Sequence, residues 1–225
     1  VLNLPGQCPS VLLQVEHMKK LDAEKPRRPG RPSKADSELG PSAKVRILET
    51  ALRLFYQHGI HSVGIDRIIA ESQIAKMTFF KHFPTKRELI LEFLKVRDER
   101  YIGWFVDTLN QLTADKKKRL AAAIDVVEIW FKSKDFRGCA FINTTAEVGA
   151  GDMQEKNLCV AHKRRLTELL EQLASEAGYH HAPLLAEQLV TVIDGATVRA
   201  QMEGAEAGIH ALRCTSKAIL KMHKS

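Results

Sequence analysis

The apolar residues downstream of Pro41 recur at the spacing of α-helices. A first helix is predicted to begin after a cap at Ser42 and to stop at Gly59. Its buried stripe has apolar residues three or four positions apart, namely Val45, Leu48, Leu52 and Phe55. Strands would require alternating apolar and polar residues, and no convincing alternation follows Pro41. The pattern therefore predicts an all-α fold.

Two short helices are predicted next, at residues 65–71 and 75–81, with a turn between them. Each is shorter than the roughly 12 residues at which an isolated helix becomes even marginally stable, so both must pack against the first helix and the next one. Thr85 and Glu88 have capping-box spacing, in which each side chain satisfies the backbone N–H of the other residue. They begin a long helix, predicted to end near Leu109, that joins a three-helix unit to the rest of the chain.

The remaining chain divides into a helical body and an N-terminal arm. Five helices separated by short loops are predicted at residues 115–134, 138–148, 152–177, 182–204 and 209–221. Residues 1–41 contain six of the eight prolines and show no sustained period, which predicts a flexible basic arm. The first methionine is Met18, so two interpretations of residues 1–17 stay open: a native segment, or an addition before the native start.

The distribution of charge narrows the functional class. The net charge of the 225 residues is +7. Lys and Arg exceed Asp and Glu by six in residues 1–100, but by only one in residues 101–225. Positive charge concentrated at one end predicts a polyanionic partner, and a basic tail that only aids solubility is the alternative. No apolar run is long enough to span a membrane, so no membrane partner and a cytoplasmic location are expected.

The segment 59–83 has two short helices joined by a tight turn, an arrangement that lets the second helix lie in the major groove of DNA. The residues in and around it read Ala51-x-x-Leu54-Phe55-x-x-x-Gly59, Ile65-x-x-Ile68 and Thr78-Phe79-Phe80-Lys81-His82-Phe83-Pro84-Thr85-Lys86-x-x-Leu89. This pattern, over residues 44–94, resembles the N-terminal signature of the tetracycline-repressor (TetR) family. The resemblance implies a helix-turn-helix DNA-binding domain at residues 42–88, followed by an effector-binding and dimerisation domain at residues 89–225.

The resemblance also implies a function. The family consists of dimeric bacterial transcription regulators, most often repressors, that occupy a palindromic operator in double-stranded DNA and leave it when a small-molecule effector binds. The same role is expected here, as a homodimer, without a cofactor, at the nucleoid. An effector-independent architectural DNA-binding protein is the alternative. An enzyme is not expected, because Glu147, Asp152 and His162 are interpreted as isolated polar residues on amphipathic helices.

By the same resemblance, the helix at residues 75–81 is the recognition helix. Four of its residues are expected to face DNA: Lys76, Met77, Thr78 and Lys81. Phe79 and Phe83 are expected in the core. His82 is a candidate for a contact with the DNA backbone, and Lys86 matches the position whose amine and backbone N–H grip a phosphate. For each basic residue an ordinary solvated charge is the alternative.

The chain departs from the family pattern at four positions. Gln73 stands where a turn glycine is usual, and Ala75 stands where a hydroxyl residue usually caps the recognition helix. The missing cap costs about 1 kcal/mol locally. Gly64 takes the cap position of the preceding helix, which is a milder change. Phe80 replaces a common tyrosine, so one hydrogen bond to a phosphate is expected to be absent.

Arg28 and Arg31 lie in the motif Arg27-Arg28-Pro29-Gly30-Arg31-Pro32. Its prolines keep the backbone extended, and its arginines can enter a narrow minor groove. The motif resembles the basic arm that precedes this domain in many relatives and the core of an AT-hook. A purely electrostatic tail is the alternative. Both interpretations predict added affinity for DNA that falls as salt rises.

The last two predicted helices offer a candidate dimer surface. Their apolar stripes consist of Leu185, Leu189, Val192 and Ala196, then Ile209, Leu212, Ile219 and Leu220. Small residues would let two helices approach closely, namely Gly195, Ala196, Ala200, Gly204, Ala205 and Gly208. In the family such helices form a four-helix dimer bundle. The alternative from period alone is that both stripes face the chain's own core.

Between the DNA-binding unit and these helices, the family encloses its effector. Candidate pocket residues are Trp104, Phe105, Trp130, Phe141, Thr145 and His162. Plain core is the alternative for each of them. No metal site is expected, because the four cysteines lack C-x-x-C spacing. Cys139 is interpreted as a buried inert thiol, and a redox sensor is the alternative.

Overall fold

A computed structural model describes residues 42–224, and all regular secondary structure in this range is helical. The first unit contains α1 (Ala43–His58), α2 (Ile65–Ser72) and α3 (Lys76–His82). The long α4 (Lys86–Leu112) leads into a body of α5 (Lys116–Phe131), α6 (Ala140–Glu147), α7 (Met153–Glu176), α8 (Ala182–Glu203) and α9 (Ala205–Met222). The predicted all-α class is confirmed. The basic arm, with Arg28 and Arg31, lies outside the described residues. None of the helices between residues 42 and 224 is both long and apolar enough to cross a membrane.

The helix boundaries agree with the sequence prediction to within three residues, except at the start of α9. This helix begins at Ala205, four residues before the predicted start. The reason is Gly204, whose φ of +102° lets it end α8 and begin α9 at the same residue. The two helices therefore form a hairpin with no intervening loop.

Most of the predicted caps of the first unit are present. The Ser42 hydroxyl accepts a hydrogen bond from the Val45 N–H at 3.4 Å, and Gly59 ends α1 with a φ of +85°. The Thr85 hydroxyl accepts from the Glu88 N–H at 3.1 Å. The Glu88 carboxylate accepts from the Thr85 hydroxyl at 3.3 Å rather than from its backbone N–H, so only half of the predicted capping box forms.

The core of the first unit continues into the body along α4. Phe79 and Phe83 are buried, as predicted, and hold the short α3 against its neighbours. Phe55 on α1 meets Phe93 on α4 edge to face, with ring centroids 5.4 Å apart. Because α4 contributes to both parts of the core, a displacement of α4 also moves the first unit.

The apolar stripes suggested as a dimer surface belong largely to the chain's own core. The residues of these stripes that are buried within the chain are Leu185, Leu189, Ala196, Ile209 and Leu212. Small residues also allow close packing within the chain, because Gly208 lies directly against Ala200 and Ala196. Gly195, in contrast, is exposed, with open space around it. Period alone could not distinguish a neighbouring helix of the same chain from one of a second chain.

Gly208→Ala and Gly103→Ala are expected to change stability in opposite directions. A Cβ at Gly208 would lie 2.5 Å from the Ala200 Cβ and 2.8 Å from the Ala196 carbonyl oxygen, whereas nothing lies within 4 Å of one at Gly103. We expect the first substitution to lower the free energy of unfolding by about 2 kcal/mol through overpacking. The second should raise it by about 0.5–1 kcal/mol, because alanine favours the helix. Urea unfolding measures both, and equal effects would contradict the close packing of α8 and α9.

Candidate functional site

The turn between α2 and α3 is held by a residue that sequence reasoning missed. Gln73 ends α2 in the left-handed conformation, with a φ of +54°, at the position where a glycine would be unstrained. The guanidinium of Arg46 on α1 donates to the carbonyl of Ser72 at 2.7 Å and to that of Gln73 at 3.3 Å. These bonds satisfy carbonyls at the end of α2 and fix the entry into α3. The partners are separated by 26 residues, so no local pattern predicts them.

The expected DNA-facing residues share the solvent side of α3. Lys76, Met77 and Lys81 are exposed, and Thr78 is half-buried beside them. Met77 is 82% exposed, an unusual position for a large apolar side chain. The amine of Lys76 lies 3.9 Å from an Asp66 carboxylate oxygen, and both side chains are well exposed. Such a weak surface pair leaves Lys76 available for another partner.

The two further candidates are less exposed. His82 and Lys86 are both half-buried. The Lys86 amine, next to the start of α4, donates to the His61 carbonyl at 3.4 Å. Burial lowers the pKa of Lys86, and the nearby Glu147 carboxylate opposes this lowering. The ammonium group thus sits at the edge of the first unit, beside a residue from the body.

Glu147 is a connecting residue and not the isolated polar residue that its sequence context suggested. It is the last residue of α6, and its carboxylate accepts from the His61 backbone N–H at 2.7 Å. The His61 Nε2 lies 2.6 Å from the Glu147 carbonyl oxygen. Gly59 makes room for this contact, because a Cβ there would lie 2.6 Å from the carboxylate. The loop after α1 is therefore bound to the C-terminal end of α6.

A second contact joins the first unit to the N-terminal end of α6. The hydroxyl of Tyr56 on α1 donates to the Gly138 carbonyl at 3.1 Å and accepts from the Arg137 N–H at 3.0 Å. The guanidinium of Arg97 on α4 lies 4.0 Å from the centre of the Tyr56 ring. We call the Tyr56 and Glu147 contacts the end ties of α6. Both ends of this short helix are bonded to the first unit.

A groove of about 760 Å³ runs between α6, α7 and α8, and we call it the lateral groove. Its apolar lining includes Phe141, Ile142, Cys159 and Val160, and its polar lining includes Thr145, Thr167, Lys163 and Asp194. This size is typical of small-molecule sites. The pKa of Cys159 is raised by burial, which disfavours its reactive thiolate.

Directly behind the lateral groove lies an inner void of about 10 Å³. Tyr101, Trp130 and His162 are among its lining residues. The void and the groove share Phe141, Lys163 and Asp194, so the two spaces are neighbours. The structure thus brings four of the six predicted pocket residues together: Trp130, Phe141, Thr145 and His162. The other two line neither of these cavities: Phe105 is fully buried, and Trp104 packs beside Tyr101.

His162 is held by a carboxylate inside this region. Its side chain is 3% exposed, and Nδ1 lies 2.6 Å from the Asp98 Oδ1. The other Asp98 oxygen accepts from Arg165 at 2.8 Å. Burial lowers the pKa of His162 despite the bond to Asp98. Burial raises the pKa of Asp98, but its bonds to His162 and Arg165 outweigh burial and lower it. A neutral imidazole that donates from Nδ1 to an ionised Asp98 satisfies the carboxylate oxygen and Nδ1.

Comparison with known proteins decides the family. The family model for bacterial regulatory proteins of the tetR family matches residues 47–93. The transcriptional regulator AcuR of Cereibacter sphaeroides is 30% identical over 193 residues, which cover 80% of this chain and 84% of AcuR. The chain belongs to the TetR family.

Solved structures agree with this assignment. The TetR-family transcriptional regulator SCO4454 of Streptomyces coelicolor is 29% identical, with a TM-score of 0.74 over 81% of this chain and 96% of that one.

Two uncharacterised HTH-type regulators of Bacillus subtilis, YuxN and YerO, are 44% and 30% identical, but the match spans only 25% and 31% of their lengths. This TetR-family chain is a DNA-binding transcriptional regulator with α2 and α3 as its helix-turn-helix.

Proposed function

We propose that this regulator is a homodimeric repressor that a small-molecule effector releases from a palindromic operator. Two copies of α3 enter successive major grooves, with Lys76, Met77, Thr78 and Lys81 facing the bases and the neighbouring backbone. His82 and Lys86 hold phosphates on either side. Arg28 and Arg31 of the arm add contacts in the minor groove. A single α3 has too few contacts for a unique site, so a symmetric pair is required.

An exposed stripe on α8 and α9 supports the dimer. Leu184, Val198 and Met202 on α8 are 50%, 38% and 78% exposed, and Met222 on α9 is 78% exposed. Gly195 lies between the first two and offers a flat approach. Apolar residues left in one stripe on a helix hairpin are typical of a surface covered by another subunit. Of the residues that the sequence pattern offered, Gly195 lies in this stripe, whereas Leu185, Leu189, Ala196, Ile209 and Leu212 are buried in the chain's own core.

The dimer is tested by adding charge to this stripe. Val198→Glu combined with Met202→Glu should convert the protein to a monomer in sedimentation velocity, because two buried carboxylates would face their symmetry mates. Lys116→Glu, on the exposed start of α5, is the matched control and should leave the oligomeric state unchanged. An unchanged dimer in the double variant would contradict the proposed surface.

The proposal of effector release is supported by the attachment of α6 to the first unit. Its two ends are bonded to the first unit through Tyr56 and His61, while its middle residues Phe141 and Thr145 line the lateral groove. An effector that enters the groove displaces α6, and the end ties carry this displacement to α1 and the following loop. The separation of the two α3 helices in the dimer then no longer fits the operator.

Capture of genomic fragments tests the function as a whole. The purified protein is mixed with fragments of its own genome at physiological salt, and the retained DNA is sequenced. We expect a few sharp peaks that contain a palindrome with half-sites one helical turn or more apart. Diffuse enrichment of A·T-rich DNA would replace the proposal with an architectural role, and no enrichment would overturn specific binding altogether.

A further inference from the structure

His162 lines the inner void and has a ring nitrogen that can accept a hydrogen bond. His162 Nδ1 is bonded to Asp98, and no hydrogen bond to Nε2 occurs among residues 42–224. The ring is 97% buried, and it lines the inner void rather than facing solvent. Nε2 is not fully enclosed by protein atoms, and a polar atom that faces a cavity without a protein partner is available to a ligand or an ordered water.

The orientation of His162 is fixed on three sides. Asp98 holds Nδ1, Phe141 stacks on one face with centroids 3.7 Å apart and planes 12° apart, and Tyr101 meets the ring edge to face at 5.4 Å. A carboxylate on Nδ1 sets the tautomer, because it requires the proton on that nitrogen. Nε2 is then left with its lone pair. The lowered pKa of His162 agrees with this neutral form.

The shape of the two spaces defines the rest of the ligand. The inner void, at about 10 Å³, accommodates a group the size of one water molecule, such as a hydroxyl. The adjoining lateral groove, at about 760 Å³, has room for a ring system against Phe141, Ile142 and Val160. Phe141 lines both spaces, so a ligand that shifts this side chain would place a hydroxyl in the void and a flat body in the groove.

From this geometry we propose that the effector is a hydroxylated aromatic compound whose O–H donates to His162 Nε2, with Asp98 as the positioning residue. The inference rests on the proposed function, because it names the class of effector for the same groove. The charged residues that line the groove are of both signs, and Lys163 is paired with Asp194, so the lining does not select an anion: Lys163 and Arg164 stand against Glu168, Glu187 and Asp194.

Three probes that share a naphthalene ring and differ only in one substituent test whether the site prefers a hydroxyl group. Isothermal titration calorimetry compares 2-naphthol, which donates a hydrogen bond, with 2-methoxynaphthalene, which does not, and with 2-naphthoate, which is an anion. We expect 2-naphthol to bind about tenfold more tightly than the methyl ether, because the ether leaves Nε2 unpaired. Equal affinities, tighter binding of the carboxylate, or no binding of any probe would overturn the proposal.

Two variants separate the hydrogen bond from packing. His162→Phe keeps the aromatic stack and removes the acceptor, so the preference for 2-naphthol over its ether should disappear. Asp98→Asn allows the amide to donate to Nδ1 and the proton to move to Nε2, so the preference should fall even if the first variant does not fold. A purely structural role for either residue would change the affinity for all probes and leave their ratio unchanged.

A failure of the proposed effector class can be distinguished from a failure of the proposed repressor function. For this purpose, the capture of genomic fragments is repeated with the protein preparation used for calorimetry. Specific fragments together with no preference among the probes would overturn the hydroxylated aromatic effector alone. A clear preference for 2-naphthol without specific fragments would leave the ligand site standing and overturn the proposed repressor.

Discussion

Arg100→Leu is expected to lower the free energy of unfolding by about 3 kcal/mol. Arg100 on α4 forms a two-pronged ion pair with Glu49 on α1, with Nη1 3.0 Å from Oε2 and Nη2 bonded to Oε1. Each side chain is only 15% exposed. Leucine would leave the Glu49 carboxylate largely buried without its cation, and water cannot fully replace the lost bonds. The lost ion pair joins α1 to α4, so the substitution weakens the junction between the first unit and the body.

A double variant identifies the cause of this loss. In Glu49→Leu combined with Arg100→Leu, both charges are absent and the leucines can pack against each other. We expect its free energy of unfolding to lie within about 1 kcal/mol of the wild type, because replacing a buried pair with apolar residues is often neutral. Urea unfolding at equilibrium measures all three proteins. A single variant as stable as the wild type, or a double variant as unstable as the single one, would contradict the argument.

The helices could be predicted because their determinants are local. Ser42, Gly59 and Thr85 mark boundaries through bonds that span no more than four residues, and the apolar period identifies the buried face of each helix. The same holds for Phe79 and Phe83, whose burial follows from their place in a familiar motif. Gly204 was the exception, since its dual use by α8 and α9 depends on how the two helices pack.

The contacts that connect the parts of the protein could not be predicted. His61 and Glu147 are 86 residues apart, and Asp98 and His162 are 64 apart, so no window of sequence contains both partners. Period shows that a residue faces inwards but not what it faces. For this reason Trp104 and Phe105 were grouped with residues of the groove and the void but line neither space, while Glu147 looked solvated and is bonded to the first unit.

Lys86→Ala is expected to weaken operator binding by about 100-fold in a dimer, because each subunit loses one charge-assisted bond to a phosphate. In the free protein the amine makes only a 3.4 Å bond to the His61 carbonyl, so it can move to a phosphate at little cost. The same weak bond predicts that alanine leaves the fold intact. Fluorescence anisotropy with a captured operator fragment measures the affinity, and urea unfolding verifies the fold.

The salt dependence distinguishes a phosphate contact from a contact with bases. Removing two phosphate contacts should reduce the slope of log affinity against log salt concentration by about two. It should also weaken binding to mixed-sequence DNA as much as binding to the operator. Lys76→Ala, on α3, should instead reduce the preference for the operator over mixed sequence. Lys116→Ala removes the same charge from an exposed position on α5 and is the control for long-range electrostatics. If the control lowers affinity as much as Lys86→Ala, then net charge explains the loss, and Lys86 does not contact a phosphate.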